Sequence, residues 1–325
     1  MQFNSLPGFQ RPVSAQVLGT LTFGDTVDRD AARHILNIAR EAGVNIIDTA
    51  NGYADGDAER ILGDLHAELD DCLICTKAGM PHPDAEGYPP LSPEGLQASI
   101  DGSLRRLRRE SVDLFYLHKP DRQTPILETL QTVKNLMNQG QIRAWGVSNY
   151  SAWQIADLEA TADKLGMPRA AVAQQLYNPL ARRIEEEFVE FAATRNYHTM
   201  AYNLLAGGLL SGKYDFAQGP GPSGRFSSSK VASRYKNRYW KNQLFSGVSQ
   251  LDRLAEESGL TLVELTLRWI ISQPVTNSVL LGASRAQQLR GNLTALSKGP
   301  LPDDLIQACN DATEDLRGPM PSYNR

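Results

Sequence analysis

A chain of 325 residues with 41% hydrophobic and 22% charged side chains can build a sizeable core, and its length suits two average domains or one α/β barrel. A formal net charge of −4 argues against nucleic acid as a partner of the whole protein. No apolar run approaches the roughly 20 residues needed to span a bilayer, and Met1 to Pro12 lacks the apolar centre of a signal peptide, so a cytoplasmic setting without a membrane partner is expected.

A short first strand is predicted around Val17–Thr20, followed by a helix over Asp30–Ala42 with Ala31, Ile35, Ile38 and Ala39 on one side and Gly43 as its stop. Val44 to Ile47 is a β-branched, apolar run that ends in Asp48, with Tyr53 on the loop beyond. Ala58–Leu69 carries Ile61, Leu62 and Leu65 at helical spacing. The strand Cys72–Thr76 then ends in Lys77. Its two cysteines form a lone C-x-x-C without the second ligand pair of a zinc site, and they read as core thiols.

Ser92-Pro93 is a hydroxyl cap followed by a first-turn proline, and Leu96, Ile100, Leu104 and Leu107 continue that helix face. The strand Val112–Leu117 ends in His118. Thr124-Pro125 repeats the start signal for a helix that stops at Gly140, and Ile142–Val147 is a strand ending in Ser148-Asn149. A helix over Ser151–Leu165, a strand Ala171–Ala173 ending in Gln174, a helix Glu185–Thr194 and a strand Tyr197–Ala201 ending in Tyr202 follow. Leu262–Ile271 is helical, Ser278–Leu281 is the eighth strand, and Ser284-Arg285-Ala286-Gln287 has the pattern of a capping box opening a last helix.

Eight strands, each followed by a helix, predict a closed (β/α)8 barrel spanning residues 1–325 as a single domain, with a long loop after strand 7 and a C-terminal tail. Such barrels carry chemistry on the loops beyond the strands' C-terminal ends, where Asp48, Tyr53, Lys77 and His118 all fall. An acid, a phenol, an amine and an imidazole there form a proton-transfer set. A tyrosine with an ordinary pKa of about 10 is a reluctant proton donor, and a nearby cation lowers that value.

Two glycine-rich patterns lack their functional context. Gly219–Gly224 matches G-x-G-x-x-G with two prolines inside it and no flanking strand and helix, and Gly207–Lys213 matches a phosphate-loop pattern except for Tyr214 where a hydroxyl for Mg²⁺ is required. The connection from Asn203 to Phe245 is long enough to be a lid or binding loop. Its seven basic residues, Lys213, Arg225, Lys230, Arg234, Lys236, Arg238 and Lys241, face one acid, Asp215, and suggest an anionic ligand.

Asp48-Thr49-Ala50 with Tyr53, Lys77, Asp113–His118, Gly146–Asn149, Gln174 with Tyr177-Asn178, and Tyr202 together resemble the aldo-keto reductase superfamily over essentially the whole chain. Ala201–Leu210, Tyr235–Trp240 and the ending Pro321–Arg325 are similar to its aflatoxin-aldehyde and succinic-semialdehyde reductase branch. The resemblance implies NADPH-dependent reduction of an aldehyde or ketone, with Tyr53 as general acid, Lys77 and Asp48 tuning it and His118 beside the oxygen. It implies a cofactor across the barrel mouth, near Gly19, Thr20 and Asp48, with Ser148, Asn149 and Gln174 on the carboxamide and Tyr202 on the nicotinamide ring. Asn203, Leu204, Ala206, Gly207, Leu209 and Lys213 would follow the pyrophosphate, and Ser284, Arg285, Gln288 and Asn292 would hold the 2′-phosphate at a helix N-terminus. Gly282 stands where many relatives have a phosphate-binding lysine, which leaves that charge to Arg285.

Arg238 and Arg325 match arginines of the branch beside the substrate cleft and would favour a small carboxylated aldehyde, a dicarbonyl being the other small substrate the resemblance implies, with Tyr53 and His118 at the carbonyl. The alternatives are a reductase of sugar or natural-product ketones, and a cofactor-binding module like the auxiliary subunits of potassium channels. No metal is implied, and a homodimer is left open.

Overall fold

The computed structural model describes residues 1–318. It begins with an antiparallel ribbon, β1 (Phe3–Asn4) and β2 (Val13–Ser14). Eight parallel strands then close into a barrel: β3 (Gln16–Gly19), β4 (Ile46–Asp48), β5 (Leu73–Ala78), β6 (Val112–Leu117), β7 (Ile142–Ser148), β8 (Ala173–Leu176), β9 (Thr199–Tyr202) and β10 (Ser278–Gly282), the last pairing with the first. The helix layer comprises α1 (Arg29–Glu41), α2 (Asp57–Asp64), α3 (Pro93–Leu107), α4 (Ile126–Asn138), α5 (Ala152–Leu165), α6 (Phe188–Arg195), α7 (Ala232–Tyr239), α8 (Asn242–Glu257), α9 (Leu262–Ser272), α10 (Ala286–Ser297) and α11 (Asp303–Ala312). This is the predicted α/β barrel.

Strand side chains alternate between faces, so each barrel strand divides its residues between an inner core and the helix layer. The inner cluster takes Val17, Ile46, Leu73, Cys75, Leu114, Tyr116, Ala144, Val172 and Met200, and the ribbon adds Leu6 and Val13 to it. Cys72, three residues from Cys75, belongs to the outer cluster, and both thiols are free and buried. An odd separation along a strand puts them on opposite faces, which is why this C-x-x-C makes neither a disulfide nor a ligand pair. Gly146 is required by the inner packing: a Cβ there would stand 2.9 Å from the Tyr116 ring.

Several boundaries differ from expectation. The helix expected to reach Leu69 ends at Asp64 and continues as a separate 3-10 turn, His66–Leu69. The sixth strand runs over Ala173–Leu176, so Gln174 lies within it, although Val147 N already donates to Val172 O at 2.9 Å. Ser92 caps α3 as predicted, accepting from Gly95 N at 3.1 Å. Thr124 does not cap α4; its hydroxyl donates to Asp121 at 2.8 Å and Pro125 takes the cap position. The capping box at Ser284–Gln287 is replaced by a pairing one residue on, with Ser284 N and Oγ both donating to Gln288 Oε1 and Arg285 as the cap. The connection beginning at Asn203 is not loop throughout, since it contains α7 and the start of α8.

Candidate active site

Two residues beyond the top of the inner apolar core, the same strand faces turn polar. Ile46 is followed by Asp48, Cys75 by Lys77, Tyr116 by His118, Val172 by Gln174 and Met200 by Tyr202, with Gly19 and Ser148 completing the ring. The period of two that fills the barrel with apolar side chains therefore also gathers these groups at its C-terminal mouth.

Lys77 is the centre of the ring. Its Nζ donates to Asp48 Oδ1 and to Thr49 O at 2.7 Å, and reaches the Tyr53 hydroxyl at 3.3 Å. Asp48 and Lys77 are both fully buried, and the other oxygen of Asp48 accepts from Gln174 Nε2 at 3.0 Å. The Tyr53 and His118 rings meet edge to face with centroids 5.9 Å apart. Burial works against the charge on Lys77, but Asp48 and Tyr53 beside it prevail and hold the amine above its ordinary value, so it is a cation at neutral pH. Burial raises the Asp48 carboxyl, opposed by Lys77 and Gln174. Burial likewise pushes the Tyr53 phenol up, and Lys77 pulls it back only in part, so the net direction is opposite to that expected from a lysine neighbour alone. His118 is driven well below its usual range by burial, then by Lys77, Arg234 and Lys119, and is neutral.

The loops around the mouth can hold an extended dinucleotide. Positive φ at Asn203 (63°), Ala206 (50°), Gly207 (72°), Gly208 (100°) and Gly212 (72°) coils residues 203–212, while the side chains of Leu204, Ala206 and Leu209 are buried, so this loop offers its backbone outward. Gly207 is forced by Tyr235, whose ring would lie 2.5 Å from an added Cβ; beside Gly208, Lys213 Nζ lies 3.9 Å from the Cβ position. At the far end Gly282 is exposed with nothing within 4 Å of a Cβ, and Ser284, Arg285 and Gln288 are exposed at the start of α10 with Asn292 buried behind them. Orphaned polar atoms mark the other end: His118 Nδ1 and both amide atoms of Asn51 are buried without a partner. Open space, an exposed arginine and unsatisfied donors and acceptors fit the phosphates and carboxamide of a nicotinamide dinucleotide.

Some predicted contacts are already spent within the protein. The Thr20 hydroxyl donates to Asp48 O at 3.0 Å, one Gln174 donor serves Asp48, and the Asn149 amide lies between His118 O at 2.9 Å and the Tyr202 hydroxyl at 2.6 Å. The basic loop is divided in the same way: Lys230 pairs with Asp55 at 3.1 Å, Arg225 and Arg238 lie over the Tyr235 ring at 5.1 and 6.0 Å, and Arg238 also acts on Tyr202. Arg325 and the rest of the Pro321–Arg325 ending lie outside the described residues. Residues that pattern reading missed are Tyr116, whose ring lies 5.6 Å from Lys77 Nζ, and Tyr239, whose hydroxyl joins Asn178 and Asn203 at 3.2 and 2.9 Å. Both are aromatic positions that look like ordinary core in the sequence. Among the described residues no group of His, Cys, Asp or Glu could hold a metal ion, and no helix is long and apolar enough to cross a membrane.

Residues 17–314 match the model of the aldo/keto reductase family. The chain is 35% identical over 324 residues to aflatoxin B1 aldehyde reductase member 2 of Rattus norvegicus, covering 95% of this chain and 87% of the relative. It is also 35% identical over 309 residues, 93% of each chain, to a probable voltage-gated potassium channel subunit beta of Arabidopsis thaliana. Its structure superimposes on that of the glycerol dehydrogenase of Gluconobacter oxydans with a TM-score of 0.78 at 27% identity, covering 99% of this chain and 98% of the other. With the barrel and its polar mouth, these matches establish that the chain belongs to the aldo/keto reductase family of NAD(P)H-dependent carbonyl oxidoreductases.

Proposed function

We propose that the protein reduces a small aldehyde to an alcohol with NADPH, using Tyr53 as general acid. The observation that carries this reading is the single amine of Lys77, held by Asp48 and Thr49 O while reaching the Tyr53 hydroxyl at 3.3 Å. When bound, the reduced nicotinamide supplies the hydride. Tyr53 gives its proton to the carbonyl oxygen as charge develops there, and Lys77 stabilises the phenolate that remains. Asp48 keeps Lys77 charged and fixed. Neutral His118 donates a hydrogen bond to the same oxygen.

Ser148, Asn149 and Gln174 would hold the carboxamide, Tyr202 the ring face, residues 203–213 the pyrophosphate, and Arg285 with Ser284 and Gln288 the 2′-phosphate. For Asn149 this requires exchange of its contact to Tyr202. The substrate we favour carries a carboxylate, with Arg238 and Arg325 as its partners. Comparing 2-carboxybenzaldehyde with 4-carboxybenzaldehyde and benzaldehyde, in the wild type and in a chain lacking Arg325, tests this. A carboxylate advantage in kcat/KM that shrinks on truncation is expected. Indifference to the carboxylate would point to neutral sugars or natural-product ketones, and tight NADPH binding without turnover of any carbonyl would favour a role like that of the channel-subunit relative.

A further inference from the structure

Between Tyr53 and α2 the chain passes through three successive residues of positive φ: Ala54 (49°), Asp55 (59°) and Gly56 (89°). Two of them are not glycine, and such backbone persists only where its surroundings over-determine it. Arg106, in the last turn of α3, lies against this bend, its Cδ and Nε 2.8 and 2.9 Å from where a Cβ on Gly56 would stand. All three nitrogens of its guanidinium are engaged. Nε donates to Glu59 Oε2 at 2.8 Å, and the two terminal nitrogens donate to the two oxygens of Asp84 at 3.0 and 2.7 Å. Glu59, fully buried in the first turn of α2, accepts on its other oxygen from the Thr76 hydroxyl at 2.5 Å.

Thr76 and Lys77 are neighbours on β5, so their side chains leave opposite faces of the strand. Lys77 enters the barrel mouth while Thr76 meets α2 outside it. One chain of hydrogen bonds thus runs from the strand that carries the lysine, through Glu59 at the start of α2 and Arg106 in α3, to Asp84 in the 82–85 turn, and the Arg106 side chain packs against the bend that follows the tyrosine. Glycines make the space for it: a Cβ on Gly102 would stand 2.2 Å from Asp84 Oδ2, and one on Gly63 would stand 2.0 Å from Arg106 O. Buried ion pairs contribute little net stability compared with apolar packing, so stability is a poor reason for this arrangement. A planar, fivefold donor fixes three segments relative to one another as no apolar contact does.

We propose that Glu59, Arg106 and Asp84 are positioning residues that set the Tyr53 hydroxyl against Lys77 Nζ from outside the barrel. The proposal rests on the reading of Tyr53 and Lys77 as the proton-transfer pair. Glu59→Gln, Arg106→Met and Arg106→Lys are measured for aldehyde reduction, NADPH binding by fluorescence quenching, and the pH profile of kcat/KM. A displacement of about 1 Å costs up to about a hundredfold in rate, so kcat is expected to fall about ten- to a hundredfold with KM for the aldehyde and NADPH affinity within about twofold.

The alkaline limb of the profile moves up, because Tyr53 loses the lysine that restrains its pKa. Arg106→Lys does not rescue, since an ammonium keeps the charge without the fork. Folded, NADPH-binding variants with wild-type kcat and an unmoved alkaline limb overturn the proposal, as does full rescue by lysine. If these variants do not fold, Asp84→Asn, which changes only the outer, partly exposed end of the chain, is read by the same criteria. Turnover by Tyr53→Phe would instead overturn the assignment of the acid and leave the frame's geometry standing.

Discussion

Tyr53 is subject to two opposed influences, burial that keeps its proton on and Lys77 that draws it off. As the proposed acid, Tyr53 must be protonated for reduction, so kcat/KM is expected to be level at neutral pH and to decline as the pH rises through the Tyr53 pKa. Lys77→Met removes the downward pull, so the decline should move to higher pH while the neutral plateau drops; a pH–rate profile decides it. Tyr53→Phe should retain less than about a tenth of the wild-type rate with NADPH quenching intact, because general acid catalysis contributes typically 10²–10⁴-fold. His118 is held neutral by its burial, so no acidic limb from its titration is expected in the profile down to about pH 6. Arg285→Ala should weaken NADPH binding by about ten- to a hundredfold and leave NADH unchanged, the loss of a charge-assisted contact of roughly 1.5–3 kcal/mol. Equal losses for the two cofactors in a binding titration would remove Arg285 from the 2′-phosphate.

At the scale of elements, α2 and α3 approach more closely than side chains ordinarily permit. Gly63 lies directly against the carbonyl of Arg106. Gly63→Ala should therefore push the helices apart and destabilise the fold by about 1–3 kcal/mol, read as a lower Tm, and a neutral result would show that α2 can slide without cost. The long connection after β9 is fastened at its middle and near its end: Ser229 Oγ and Lys230 N donate to Asp25 at 2.5 and 3.1 Å, and the Tyr239 hydroxyl joins it to Asn178 and Asn203. Its basic residues were legible as a charge excess, but their division between internal pairs and the mouth was not, because a partner such as Asp55, which pairs with Lys230, lies 175 residues away.

Over the whole molecule, acid should weaken the fold through two half-buried histidines. His198, with Nε2 2.9 Å from Ser278 Oγ, is pushed down to about 4 by burial, and His118 is also well below its usual range. A histidine with a depressed folded pKa contributes stability that is complete above its unfolded value of about 6.5 and is lost as the pH falls toward the folded one. Tm should decline between about pH 6.5 and 4, and His198→Gln should flatten that decline; an unchanged slope would assign the acid sensitivity elsewhere.

The barrel was legible in the chain because short apolar runs alternating with amphipathic helices have few other ways to bury both strand faces. Asp48, Lys77 and His118 stood out because each ends such a run, a position that a period of two converts into a shared mouth. The strand end expected at Gln174 shifted to Leu176, while the strand expected to end in Tyr202 does end there and starts later, at Thr199, because hydrogen-bonded register, rather than the limits of an apolar stretch, bounds a strand. The ribbon β1–β2, the helices α8 and α11, and the spending of Thr20 and Gln174 on Asp48 depend on neighbours distant in the chain. So does the frame of Glu59, Arg106 and Asp84: in sequence these are three ordinary charges, and only close packing around Gly56, Gly63 and Gly102 brings them together, with Glu59 and Arg106 buried and Asp84 half-buried at the outer end.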